Sequence, residues 1–333
     1  MLEAPDIPPA AITAALRDHY AIDSGTVTFL PIGNDPRSFV YRADNADGTR
    51  NFVKLRAGAL HAPGLLVPRA LRDAGIGEAV APIRTCSGEL GVPLGGFTLI
   101  AYEYVHGDTA MNVGLTAAQW RTHGQTLARV HATRLPDDLI EQLPHETYLP
   151  ASFGFLRDLH PRVLAGDVVP QSRDEALAFW RARADTIAQL LERTRTFGAA
   201  LGARGLPNVL VHSDIHTANV MVDGEGALHY VDWDAPMMAP RERDLKFMID
   251  ATFCGPSTPG YEAAFLEGYG IDRVDPLALA YYRHDWVIED MAAYGNDVFR
   301  RRDIGAITRA DSFDRLQRMF DPRGTIDIAL RSA

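Results

Sequence analysis

The chain has 333 residues, 47% hydrophobic and 23% charged, with 33 basic against 43 acidic side chains and a net charge of −10. That length exceeds one small core, the acidic balance argues against a nucleic-acid binder, and two cysteines, Cys86 and Cys254, make neither a disulfide framework nor a CxxC site. The start, "MLEAPDIPPAAITAALRDHY", lacks the basic head and apolar core of a secretion signal. No apolar run approaches transmembrane length. A cytoplasmic protein is expected, with no membrane, nucleic-acid or obligate protein partner.

Residues 8–19, opened by prolines, predict a short helix. Strand-like pieces follow: "TVTFLPI", "SFVYRAD" and "NFVKLR", separated by turns carrying Gly33 and Asn34, then Asn45, Asp47 and Gly48. A helical patch over 64–74 precedes two further strands, around "AVAPIRT" and "GGFTLIAYEYV". Beyond "HGD" the period becomes helical. Leu115, Trp120, Leu127 and Val130 share one buried face, and Thr116 is the expected N-cap. "SRDEALAFWRARADTIAQLLERTRTF" reads as one long amphipathic helix. Residues 209–232 read as two or three short strands around a loop, and 242–250, 258–269, 275–298 and 309–320 as helices. The order predicts an α+β chain: a small sheet-rich lobe over 1–105 and a large, mainly helical lobe over 106–333.

Within 209–232 lies "VHSDIHTANVMV", which sets His212, Asp214 and Asn219 at the spacing H-x-D-x-x-x-x-N. Phosphoryl transfer needs magnesium on hard oxygen ligands, a group that orients the attacking hydroxyl, and positive charge on the nucleotide phosphates. A loop leaving a strand can aim Asp214 at a hydroxyl, and Asn219, five residues on, can turn its carbonyl oxygen to a metal. The next strand, "LHYVD", ends in Asp232, placed like the metal-binding aspartate of a kinase D-F-G but written here D-W-D. The bland alternative is a capped turn with solvated acids. His216 either reaches a phosphate or braces the loop, and His212 reads as structural support.

These segments, with "VDWDAPMMAPRERDLKFM", "YYRHDWVIEDMAAYGNDV", "YRADN", "FVKLR" and "MFDP", resemble the aminoglycoside phosphotransferase and choline kinase-like family of small-molecule kinases over nearly the whole length. The resemblance implies a bilobal protein kinase-like fold with ATP as donor and Mg2+ as cofactor. It implies Asp214 as catalytic base, and Asn219 and Asp232 as metal ligands. Asp244 in "RERDL" would be the buried aspartate that braces the catalytic loop. Lys54 in "FVKLR" would contact the α and β phosphates. "PIGNDPRSFVYRA" would cover the phosphates through Gly33, Asn34 and Ser38. The hinge would lie near 101–106, with Glu103, Tyr104 and Val105 against adenine.

One feature departs from the kinase pattern. Kinases pair the strand lysine with a glutamate of the following helix. Between residues 55 and 77 the only acid is Asp73, and Pro63 and Pro68 limit a long helix there. The ion pair is therefore absent or supplied from elsewhere, and absence would suit a nucleotide-binding pseudokinase. The segment "ALAYYRHDWVIEDMAAYGNDVFRR" offers Trp286, Glu289, Asp290 and Tyr294 to an acceptor, with Asp234 ranked lower. Carboxylates and rings there suit a small cationic polyhydroxylated molecule, and the family resemblance implies as acceptor an aminocyclitol or aminoglycoside antibiotic such as spectinomycin. A metabolic kinase of choline, a sugar or an amino alcohol is the alternative of the same fold.

Overall fold

A computed structural model describes residues 4–32, 37–58, 61–249 and 259–332. It divides into two compact units: residues 1–144, 212–237 and 253–270 form the first, and 145–211, 238–252 and 271–333 the second.

The first unit opens with helix α1 (Pro9–Tyr20), followed by strands β1 (Ser24–Leu30), β2 (Ser38–Asn45) and β3 (Arg50–Ala57), helix α2 (Pro63–Asp73), and strands β4 (Val92–Leu94) and β5 (Phe97–Glu103). The strands pair antiparallel in the order β1-β2-β3-β5-β4. The β2–β3 turn has the expected residues, with Gly48 at φ 85° and its N–H on Asn45 O. The first turn, with Gly33 and Asn34, lies outside the described residues.

In β3 the period-2 alternation is clean. Val53 and Leu55 are fully buried against α1 residues Ile12 and Leu16, so Lys54 and Arg56 share the opposite face. β3 is the third of the five strands, so Lys54 stands in the middle of the sheet. The strand expected over 79–85 is absent. Ala79 and Pro82 make only isolated bridges, to Tyr230 and Tyr102, because Pro82 has no N–H for a ladder.

After β6 (Gly107–Thr109) and the short α3 (Ala110–Val113) comes α4 (Ala117–Ala132). Thr116 caps α4 as expected: its hydroxyl accepts from Gln119 N, and the Gln119 side chain accepts from Thr116 N. α4 packs on the helix Tyr261–Tyr269 at backbone distance. A Cβ on Gly124 would fall 2.2 Å from Phe265 O. We therefore expect Gly124→Ala to destabilise the fold by about 1–3 kcal/mol, as overpacked sites do, read as a lowered denaturant midpoint. An unchanged midpoint would mean that the crossing is looser than described.

The second unit is helical. Its core gathers Leu156, Leu159, Trp180, Ile187, Leu190, Val287, Ile288 and Phe299. The single helix expected over 172–197 is two, Asp174–Arg181 and Ala184–Arg204. Arg183 leaves the helical region (φ −117°, ψ 12°), with its guanidinium 3.6 Å over the Phe179 ring. The apolar period runs through the break because both helices bury the same core. The helix expected over 242–250 shortens to Glu242–Leu245. Helices Phe153–Leu164 and Thr325–Arg331 carried no sequence expectation. The architecture is α+β, with an antiparallel sheet near the N-terminus and helices towards the C-terminus. No described helix is long and apolar enough to cross a membrane.

Candidate active site

The strands Val220–Asp223 and Leu228–Tyr230 pair with each other, and β6 pairs with the first of them. Their ends carry the two acidic segments. Tyr230 is clamped by residues 78–80: its N–H donates to Glu78 O and its carbonyl accepts from Val80 N. One residue on, Val231 N donates to Asn219 O at 3.0 Å, tying the D-W-D segment to the H-x-D loop.

His212 is wholly buried and joins both segments. The Asp214 amide donates to its Nδ1 at 3.3 Å. Nε2 must then carry the proton, which it donates to Val231 O at 3.0 Å. Its ring packs on Trp233 with centroids 4.4 Å apart, and the Trp233 indole donates to Tyr230 O. Asn219 closes a single 3₁₀ turn, Thr217–Asn219. Its Nδ2 donates to Asp214 O at 2.7 Å and approaches Asp214 Oδ2 at 3.3 Å. With the nitrogen so engaged, the amide oxygen is the end left to face a cation. His216 Nε2 stands 3.6 Å from Asp214 Oδ2, too far for a direct hydrogen bond.

Two residues here hold left-handed backbone: Ser213 at φ 76° and Asp232 at φ 62°. Strain of this kind persists only where surroundings over-determine it, and aspartate tolerates it better than most residues. Half of the Asp232 side chain is reachable by water. Even so, the protein around it strips enough hydration to push its pKa up. Lys54 opposes that rise, while Asp234 and Asp214 add to it.

Lys54 Nζ lies 2.8 and 2.7 Å from the two carboxylate oxygens of Asp234, and 3.6 Å from Asp232 Oδ1. Arg56, its neighbour on the same strand face, reaches Asp234 at 3.3 Å and Ser38 Oγ at 2.8 Å. Asp234, expected on the acceptor side, is thus engaged by the two cations of β3. This pairing was not foreseen from sequence. The lack of a glutamate after β3 signalled that a partner had to come from elsewhere, without saying from where. His61, Gly64, Leu65, Ile100 and Tyr102 line the recess around Lys54, Arg56 and Asp234.

At the end of β5, Glu103 is exposed and pairs with Arg72 of α2 at 3.1 Å. Tyr104 follows, edge-on to His106 at 5.0 Å, and Val105 is half-buried.

The remaining nominated residues belong to the second unit, four of them on the helix Pro276–Phe299. Trp286 packs edge-on against Phe247. Glu289 accepts from Ser152 N at 2.9 Å and Ser152 Oγ at 2.7 Å. Tyr294 packs on the core, and burial first, then the Asp290 charge, pushes its phenol up to about 12. Asp290 is half-buried. Asp244 is completely buried.

Asn219, Asp214 and Asp232 offer oxygen atoms of the hard kind that magnesium prefers, and the charges of Asp214 and Asp234 crowd Asp232 despite Lys54, which leaves the site short of positive charge. Among the described residues no group of three or more His, Cys, Asp or Glu is arranged to hold a metal alone. Magnesium that keeps waters and shares substrate phosphates needs no such cage.

An antiparallel sheet bearing a lysine, followed by an H-x-D-x-x-x-x-N loop and a strand-end aspartate, is the fold and site of a kinase-like phosphotransferase. The model of the phosphotransferase enzyme family (APH) matches residues 35–282, and the chain belongs to that family as a small-molecule phosphotransferase. It is similar to spectinomycin phosphotransferase APH(9)-Ia in complex with ADP and spectinomycin, at 31% identity over 98% of this chain and 99% of that one, with a TM-score of 0.86. The AMP-bound complex of the same enzyme gives 32% identity over 97% and 98%, with a TM-score of 0.81. Choline kinase LicA from Streptococcus pneumoniae shares the fold at 14% identity over 92% and 96%, with a TM-score of 0.56. Comparison with curated proteins returns no match.

Proposed function

We propose that this chain is an ATP- and magnesium-dependent O-phosphotransferase for an aminocyclitol antibiotic, with spectinomycin as the acceptor. What chiefly supports the acceptor is the 31% identity to spectinomycin phosphotransferase across 98% of this chain. What supports the chemistry is the gathering of Lys54, Asp214, Asn219 and Asp232 around one loop and one strand end.

In this reading residues 1–105 are the nucleotide-binding lobe. Backbone groups of Glu103, Tyr104 and Val105 bind adenine, and Lys54 holds the α and β phosphates. Gly33, Asn34 and Ser38 cover them. Asn219 and Asp232 would hold magnesium, which when bound would offset charge on the transferring phosphoryl group. Asp214 accepts a hydrogen bond from the acceptor hydroxyl, aims its oxygen at the γ phosphorus, and takes the proton as the O–P bond forms. ADP leaves. Trp286 and Asp290 face the ring and ammonium groups of the acceptor, with Glu289 and Tyr294 fixing that helix. His212 and Asp244 support the loop.

The test is ATP turnover with magnesium, with and without spectinomycin, followed by mass spectrometry of the antibiotic. Gain of one phosphate is the expected result. Turnover that ignores spectinomycin but responds to choline, a sugar or an amino alcohol would overturn the acceptor and keep the reaction.

A further inference from the structure

A kinase-like site needs its strand lysine held by a carboxylate, and α2 does not supply it. The helix contains no glutamate, its one acid, Asp73 at the C-terminal end, pairs with Arg69 and Arg84, and where the helix meets the D-W-D segment it presents Gly64. A Cβ there would lie 3.0 Å from Trp233 O and 3.5 Å from Asp234 Cα. The helix thus admits the backbone of residues 233–234 to the place where a helix side chain would otherwise stand.

We propose that Asp234 is the positioning residue for Lys54, so that one three-residue segment supplies both a metal-binding carboxylate, Asp232, and the lysine's tether. This rests on the phosphotransferase reading above and adds to it the source of the ion pair. The contact is bidentate at 2.8 and 2.7 Å. Arg56 fixes the same carboxylate at 3.3 Å while bonded to Ser38 at 2.8 Å, so the acceptor of the Lys54 bond is itself anchored to the sheet.

The arrangement also explains the longer distance to Asp232. Lys54 Nζ is 3.6 Å from Asp232 Oδ1, close enough to compete with a metal for that oxygen. Asp234 draws the ammonium towards itself and keeps Asp232 available. Asp234 therefore acts through Lys54 in two ways: it aims the lysine at the phosphates, and it holds the lysine off the metal ligand.

The experiment is a double-mutant cycle on the full chain, read by calorimetric binding of a non-hydrolysable ATP analogue with magnesium. Asp234→Asn should weaken binding about tenfold, equivalent to about 1.4 kcal/mol. It should also raise KM for ATP, lower kcat, and increase the magnesium concentration needed for half-maximal rate, while the acceptor KM stays put. Lys54→Met should weaken binding at least as much. The double variant should bind no more weakly than Lys54→Met alone. Asp234→Glu, which keeps the charge, should recover part of the affinity; a merely space-filling role would not distinguish it from Asn. Melting curves check that each variant folds, and Asp234→Glu carries the kinetic test should Asp234→Asn not fold.

Losses that multiply in the double variant would overturn the proposal, because Asp234 would then act independently of Lys54. Tighter nucleotide binding in Asp234→Asn would overturn it too, making Asp234 a competitor of the phosphates. Failure of the native chain to bind nucleotide would instead sink the phosphotransferase reading, and this proposal with it.

Discussion

Asp214→Ala should lower turnover about 10³-fold, within the range that positioned general bases contribute, while nucleotide affinity stays close to native. The separation follows from which atoms hold the loop. Asn219 Nδ2 bonds the main-chain oxygen of Asp214 at 2.7 Å, and the Asp214 amide bonds His212. Both bonds survive truncation of the side chain. That side chain is about half exposed (49%), so its loss opens no buried cavity. In the proposed mechanism only the group assigned to the acceptor hydroxyl disappears. Single-turnover rates with saturating ATP and acceptor would read the chemical step directly, and equilibrium binding would read the rest. A variant that turns over at the native rate would remove Asp214 from the role of base. A variant that loses nucleotide binding as well would show that the side chain supports the whole loop.

The parts of this site that could be read from sequence are those that local rules dictate. Alternation along β3 put Lys54 opposite Val53 and Leu55, the spacing H-x-D-x-x-x-x-N singled out His212, Asp214 and Asn219, and Thr116 announced a helix start. What was not legible is pairing across long separations. Asp234 lies 180 positions from Lys54, and Ser152 lies 137 from Glu289. No period or spacing links such partners, so both acids read as free to meet an acceptor. The strand expected over 79–85 failed for a related reason. Its apolar residues are buried because neighbouring segments cover them, and Pro82 denies the ladder that β-propensity suggested. A helical period likewise cannot report the break at Arg183, since both flanking helices turn the same face to one core.

Asp232→Asn should remove most turnover, about 10²-fold or more as expected for an electrostatic group at a reacting phosphate, yet make the metal-free protein harder to melt at pH 8. Asparagine tolerates the φ of 62° that Asp232 adopts, so the substitution deletes charge and little else. The sign follows from the raised pKa, caused first by lost hydration and reinforced by Asp234 and Asp214 against the pull of Lys54. A carboxyl whose folded pKa lies above its unfolded value favours the folded state in its protonated form. That contribution is present below the ordinary value of 3.8 and is lost as pH rises through the folded-state pKa. Above it, the ionised Asp232 costs the native protein stability that the neutral amide does not. The advantage of the variant should therefore be full at pH 8 and shrink as pH falls towards 3.8. Thermal melting of both proteins across that range, without metal or nucleotide, measures it. Lower stability of Asp232→Asn at pH 8 would mean that attraction to Lys54, 3.6 Å away, outweighs the crowding of carboxylates. The site would then not be short of positive charge, and the case for a cation shared by Asn219 and Asp232 would lose its electrostatic basis. The expected pattern, a variant more stable but nearly inactive, is what a binding site looks like when its strain is relieved by the ligand it was built to hold.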